Sequence, residues 1–263
     1  MGDAKTIEVR PIARRVADDV VRRVHYSGSV VQNSQISLGV FIGGRLHGAM
    51  QFGPPLDRRK ILPMVRDATW ESVIELNRMA FDEALPRNSE SRALAVAFRM
   101  FAKQAPQVKW CVSFADGCQC GDGTIYRASG FLLTGIKENG QIVRFPDGFV
   151  TTAKSLTTAG HATRIDAAKR YRVDIGGGAS LAPFLAAGAR PLPGYQLRYV
   201  RFIDPTWVDR LAVPVIPFAN IPDAVRMYRG QRVSPERGAG VHPAKGGADP
   251  TLTLPPAVEV SDA

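Results

Sequence analysis

The chain has 263 residues, 45% hydrophobic and 22% charged, an ordinary globular composition that excludes global disorder. No apolar run approaches the ~18–20 residues that span a bilayer, and the polar stretch Met1 to Arg10 lacks a signal-peptide core, so no membrane association and a cytoplasmic location are expected. Lys and Arg number 34 against 24 Asp and Glu, a net +10 that attracts polyanions, nucleic acid first; three cysteines are too few for a disulfide framework.

The first element is a helix in which Ile12, Val16, Val20 and Val24 recur every four residues, with Arg14, Arg15, Asp18, Asp19, Arg22 and Arg23 opposite. Pro11 suits its first turn, and it ends through His25-Tyr26 at Ser27-Gly28. Ile36 to Ile42 and Leu46 to Phe52 read as a hairpin closed at Gly43-Gly44. A basic loop with Arg58, Arg59 and Lys60 follows. Trp70 to Phe81 reads as a strand with a bulge, Pro86 to Ser91 as a turn, Arg92 to Gln104 as a helix, and Val108 to Ala115 as a buried strand ending at Asp116. The loop 117–123 leads into a short helix, Thr124 to Phe131.

Further on, Val143 to Val150 is expected as a strand, Ala162 to Tyr171 as a basic helix, and Tyr195 to Phe202 as a strand in which Gln196, Arg198 and Arg201 alternate with apolar residues. Gly176-Gly177-Gly178 is a break without the strand-before, helix-after setting of a phosphate loop. This order predicts an α/β (α+β) fold, a mixed twisted sheet flanked by helices, in one domain over residues 8–225. Residues 229–263 are rich in Gly and Pro and are expected to form a disordered tail.

Several clusters carry chemistry. In the turn Arg87-Asn88-Ser89-Glu90-Ser91, backbone N–H groups and the dipole of the following helix favour an anion, so Arg87, Asn88 and Ser89 are expected to bind a cofactor's anionic group. Ser89 or Ser91 can also act as the helix cap. Asp116 ends a buried strand, where open sheets bind ligands, and equally suits the start of an Asp-Gly turn. Tyr126 follows on the next helix, within reach of Asp116. Cys118 and Cys120 do not have zinc-site spacing. Arg58-Arg59-Lys60 and Arg164, Lys169, Arg170 and Arg172 are candidate phosphate contacts or solvated surface. Trp70, Tyr171 and Tyr195 suit base stacking or, more ordinarily, the core.

Taken in order, Glu75-Leu76-Asn77-Arg78-Met79, Pro86-Arg87-Asn88-Ser89-Glu90-Ser91, Val112-Ser113-Phe114-Ala115-Asp116 and Gly123-Thr124-Ile125-Tyr126-Arg127-Ala128-Ser129-Gly130-Phe131 resemble the Mom family of phage and prophage DNA-modification proteins. His25-Tyr26 and Phe52-Gly53-Pro54 also match; Pro214-Val215-Ile216-Pro217-Phe218 departs from the family's usual ending. The resemblance implies a fold similar to the GNAT acyltransferases. It implies conversion of adenine in duplex DNA to its N6-carbamoylmethyl form, which shields the DNA from host restriction.

By the same resemblance, Tyr126, Arg78 and Ser91 are expected in catalysis. Tyr126 would protonate a leaving group, and Arg78 would hold an oxygen or a phosphate. His25, Tyr26 and Asp116 are expected to hold iron, for which imidazole, phenolate and carboxylate are suitable ligands. Double-stranded DNA is the expected partner and a small-molecule donor the second substrate, acyl-CoA or another acyl or glycyl carrier; a homodimer is left open. The acyltransferase motif asks for small residues three and five positions after Arg87, where this chain has Glu90 and Arg92, which crowd the approach to a pyrophosphate. The rival readings are an acyl-CoA-dependent N-acyltransferase acting on a small-molecule, peptide or aminoacyl amine, and a non-catalytic DNA-binding protein on the same fold.

Overall fold

The computed structural model describes residues 4–25, 27–116, 123–176, 178–192, 194–221, 226–228 and 231–233. In chain order the strands are β1 (Glu8–Pro11), β2 (Ile36–Ile42), β3 (Arg45–Gly53), β4 (Val73–Phe81), β5 (Trp110–Asp116), β6 (Leu132–Glu138), β7 (Ile142–Arg144), β8 (Val150–Thr152), β9 (Arg190–Leu192), β10 (Tyr195–Phe202), β11 (Arg226–Tyr228) and β12 (Gln231–Val233). The α-helices are α1 (Arg14–Val24), α2 (Arg58–Ile61), α3 (Ser89–Gln104), α4 (Thr124–Ala128), α5 (Ala153–Thr157), α6 (Ala162–Tyr171) and α7 (Ala182–Ala186).

Seven strands form one mixed sheet in the order β1-β2-β3-β4-β5-β10-β6. Only β4 and β5 among the neighbours run parallel, because α3 crosses over between them. The hairpin β2–β3 turns at Gly43 and Gly44, both with positive φ (54° and 77°), as a two-residue turn of this hand requires. The expected bulge is present. Gln51 pairs with Arg78 but Phe52 pairs with Leu76, so Asn77 is an extra residue in β4. It resets the alternation, so Ile74 and Leu76 before it and Met79 and Phe81 after it all reach the core beneath α3.

That core joins Leu94, Ala97, Phe98 and Phe101 of α3 to Phe52, Leu76, Cys111, Tyr126, Leu197 and Tyr199. On the opposite face, Ala17, Val20 and Val21 of α1 pack on Ala49 and Ala80. Ile61, Met64 and Val65 close the far end of that face over Trp110, Val112 and Phe202.

The parallel pairing is short. Register runs from Val73–Trp110 to Leu76–Ser113 and stops, although β4 continues to Phe81 and β5 to Asp116. The two strands therefore part, leaving a V-shaped gap bordered by the starts of α3 and α4.

Several expectations are corrected. Pro11 closes β1, which pairs with β2, so it does not lie in the first turn of α1. Arg58-Arg59-Lys60 is a helical turn, with Asp57 accepting from the Lys60 N–H at 3.2 Å. The helix after Gly123 ends at Ala128, and Leu132–Glu138 is a strand that Gly135 and its charged end masked. Val143 to Val150 is two short strands, β7 and β8, around a turn. Within the predicted tail, Gln231–Val233 pair with Arg226–Tyr228; the rest of residues 229–263 lies outside the described residues.

Between β6 and β10, which pair with each other, the chain makes a detour. The detour carries the sheet β8-β7-β9 and a core of its own around Val143, Phe145, Leu156, Ala167 and Phe184. At its neck the Asn139 N–H donates to the Gly194 carbonyl at 2.7 Å.

Candidate active-site cleft

The apex of the V is occupied by a phenol. Tyr126 is buried, and its hydroxyl lies 3.1 Å from Ser113 Oγ, at the last paired position of β5. Ser113 in turn donates to the Leu76 carbonyl at 3.3 Å. Tyr126 is stacked on Tyr199 (centroids 4.1 Å) and meets the edge of Phe131 (5.3 Å). The ring is therefore fixed, with its hydroxyl at the apex.

Above the apex is a cleft of about 410 Å³. Phe81, Asp82 and Glu83 from the end of β4, Arg87, Asn88, Glu90 and Ser91 at the start of α3, and Thr124, Ile125 and Ala128 of α4 line it. A second recess continues it past Phe81, Glu90 and Ile125 to Met79, Ala80, Val24 and His25. The chain thus brings Arg87, Asn88 and Ser91 together with His25 along one groove.

Three carboxylates, Asp82, Glu83 and Glu90, accompany the single Arg87. The Ser89 N–H is taken by the Pro86 carbonyl at 3.1 Å, which removes one donor an anion would use. Neither serine caps α3. The cap residue is Asn88, at φ 71° with no side-chain cap bond; Ser91 Oγ donates to the Asn88 carbonyl at 3.1 Å, and the Ser89 side chain is wholly buried.

His25 follows α1 at the mouth of the groove. The Ser27 N–H points at its Nδ1 (3.1 Å), and the Ser27 hydroxyl lies 2.8 Å from the same atom. Burial, helped by the Arg78 charge, pushes its pKa down to about 3, so the ring is neutral at physiological pH. Arg78 donates from Nε to the Ser29 carbonyl (3.0 Å) and from Nη1 to the Asn77 carbonyl (2.8 Å).

Sequence reasoning passed over Glu75, although it stands in the stretch Glu75-Leu76-Asn77-Arg78. A carboxylate inside a strand that is otherwise buried is the signal that marks it. Burial pushes its pKa up to about 7, against the opposing pull of Asn77 and Arg78. It is a half-ionised carboxyl at neutral pH, one residue before the strands part.

Asp116 ends β5, half-buried, and pairs across the ladder with Gln196. Of the three residues expected to hold iron, Tyr26 lies outside the described residues, as do Cys118 and Cys120. Among the described residues no three His, Cys, Asp or Glu side chains gather as a metal group.

The remaining basic and aromatic candidates divide. Arg164 is buried, with Nη2 donating to the Ile175 carbonyl at 2.9 Å, and Tyr171 is stacked on Phe145 at 3.9 Å. Both are structural. Trp70 and Tyr195 pack against the two sheet cores. Arg58, Arg59 and Lys60 stay exposed. No helix among the described residues is long and apolar enough to cross a membrane.

The Mom protein family matches this chain over residues 6–220. The chain is 37% identical over 137 residues to the methylcarbamoylase Mom of Escherichia phage Mu. That match covers 52% of this chain and 56% of the relative, so the chain spans little more than half the length of that protein. Among solved structures it is similar to an IAA acetyltransferase from Bacillus cereus (12% identity, TM-score 0.41, covering 74% of this chain and 99% of that one). It is also similar to the ribosomal-protein-S18-alanine N-acetyltransferase of Escherichia coli (10% identity, TM-score 0.40, covering 75% and 94%).

Proposed function

The chain belongs to the Mom protein family, and from that premise we propose that it is a transferase that modifies adenine in duplex DNA, converting the exocyclic amine to its N6-carbamoylmethyl form and shielding the DNA from restriction. The observation that carries this reading is the 37% identity to a phage methylcarbamoylase over 137 residues. Side chains around the point where β4 and β5 part supply chemistry of the kind the reaction needs.

The adenine amine is a weak nucleophile, since its lone pair is delocalised into the ring. A C–N bond must form to the methylene carbon of the donor while one N–H proton leaves. Asp116, at the end of β5 beyond the point where the strands part, is the group suited to take that proton. Tyr126, held at the apex against Ser113, is suited to protonate the departing carrier. Neutral His25, at the mouth of the groove, is suited to hydrogen-bond the transferred carboxamide. The acidic lining around Arg87 favours a donor with little negative charge over a pyrophosphate carrier. The +10 net charge and the exposed Arg58, Arg59 and Lys60 suit a DNA partner.

Mass spectrometry of nucleosides from cells expressing the wild type and Asp116→Ala tests this. The expected result is a heavier deoxyadenosine, by one carbamoylmethyl group, in the wild type alone. Unmodified DNA from cells rich in folded wild-type protein overturns it.

A further inference from the structure

Phe114 is 36% exposed, one residue past the last pair that β5 makes with β4, and its ladder partner is on β10. The other apolar residues of β5, Trp110, Cys111, Val112 and Ala115, are all buried. Nothing in the packing of the sheet calls for an aromatic ring at this point. Its cross-strand partner on β10 is Arg198, and the next like-facing pair toward the end of the strand is Asp116 with Gln196. Antiparallel partners project to the same face with Cβ atoms about 5 Å apart. These four side chains therefore form a two-by-two patch on the face opposite α3, beside the gap between β4 and β5. Arg198 is held in place, its Nε donating to Thr134 Oγ1 (3.2 Å) and its Nη2 to the Thr134 carbonyl (2.7 Å).

An exposed ring, an oriented guanidinium and a carboxamide beside a carboxylate are the parts of a nucleobase seat. We propose that this patch receives the target adenine once it has left the helix stack, with Phe114 stacked on the base and Gln196 reading its N6/N7 edge. This rests on the DNA-modification reading above. The Gln196 amide oxygen accepts from N6–H and its amide nitrogen donates to N7, a pairing that guanine's two acceptors on the same edge cannot reproduce. The amine then faces Asp116, and Arg198 neutralises the phosphate of the extruded nucleotide. A base in a duplex cannot reach such a seat without flipping, which requires a stacking surface to replace its lost neighbours.

The test is ligand-observed saturation-transfer NMR with dAMP and dCMP, together with nucleoside mass spectrometry, on wild type, Phe114→Ala, Phe114→Tyr and Gln196→Ala. Phe114→Tyr and Gln196→Ala are expected to melt close to the wild type, and Phe114→Ala, which removes a partly covered ring, is compared as the specific activity of its folded fraction. Phe114→Ala loses the dAMP signal and about tenfold or more of the modified deoxyadenosine, with duplex affinity by gel shift within about twofold since phosphate contacts supply most of it. Phe114→Tyr keeps both, and Gln196→Ala loses the preference for dAMP over dCMP. Full modification by Phe114→Ala, or equal wild-type binding of dAMP and dCMP, overturns the seat. Phe114-dependent dAMP binding by a wild type that leaves DNA unmodified sinks the proposed reaction and keeps the seat.

Discussion

Tyr126 lies flat on Tyr199, with ring centroids 4.1 Å apart and planes 4° from parallel. Two stacked phenols in a closed core leave the Tyr126 hydroxyl one direction to face, the apex where β4 and β5 part. Tyr126→Phe keeps the stack and deletes the hydroxyl. The melting temperature is expected to fall by only a few degrees, as for one lost buried hydrogen bond. Modified deoxyadenosine should fall about a hundredfold, as when a general acid is removed. Activity within about twofold of wild type would take the phenol out of the chemistry.

Glu75 couples stability to pH in a definite sense. Its pKa rises from the ordinary 4.5 to about 7 on folding, so the folded state binds the extra proton. The stabilisation is complete below about pH 4.5 and is lost as pH rises through about 7. Glu75→Gln, which cannot ionise, should melt higher than wild type at pH 8 and close to it at pH 4.

His25 has the reverse linkage. Its pKa is lowered from 6.5 to about 3, so its contribution to stability is present above pH 6.5 and lost as pH falls toward 3. The imidazole carbon resonances in NMR are expected to report a neutral ring at pH 5. In Arg78→Met, with the neighbouring positive charge removed, the titration should move upward. A ring that titrates near 6.5 in the wild type would contradict this burial.

Gly123 begins α4 at φ 71°, and a Cβ there would come within 2.3 Å of the Tyr199 hydroxyl. Gly123→Ala should cost about 2 kcal/mol or more, from backbone strain and the clash together. It should also lower activity beyond the loss of folded protein, since displacing Tyr199 tilts the ring stacked on it. Denaturant melts and the specific activity of the folded fraction separate the two effects.

Arg59 is exposed in the turn after β3. If it meets a DNA phosphate, Arg59→Ala should weaken duplex binding uniformly across sequences. It should also reduce the slope of log affinity against log salt by about one. An unchanged slope would return Arg59 to solvated surface.

Most of the central sheet is legible from local signals. The Gly43-Gly44 turn, the alternation in Tyr195 to Phe202 and the helical repeat of α3 each state their element within a few residues. Strand β6 is hidden because Gly135 and the charged Lys137-Glu138 end break its alternation, and β1 because four residues carry too little pattern. At the site, polar residues next to glycines and turns could be read as candidates, among them Asp116 and the stretch Arg87 to Ser91. Glu75 and Phe114 could not, because their interest lies in burial and exposure. A carboxyl is partly enclosed where strands usually keep apolar residues, and a ring is open where they usually bury one. Both follow from where β4 and β5 part, which is a long-range property of the sheet.

The detour between β6 and β10 leaves and returns through Asn139 and Gly194, whose hydrogen bond closes the neck. The strands it separates would form a plain hairpin if joined directly. Loop closure depends only weakly on how much chain a loop contains, so the sheet is nearly indifferent to what is spliced in at this neck. Here the splice is a unit with a hydrophobic core of its own. The position therefore accommodates a whole accessory unit while the register of the cleft-bearing strands stays that of a hairpin.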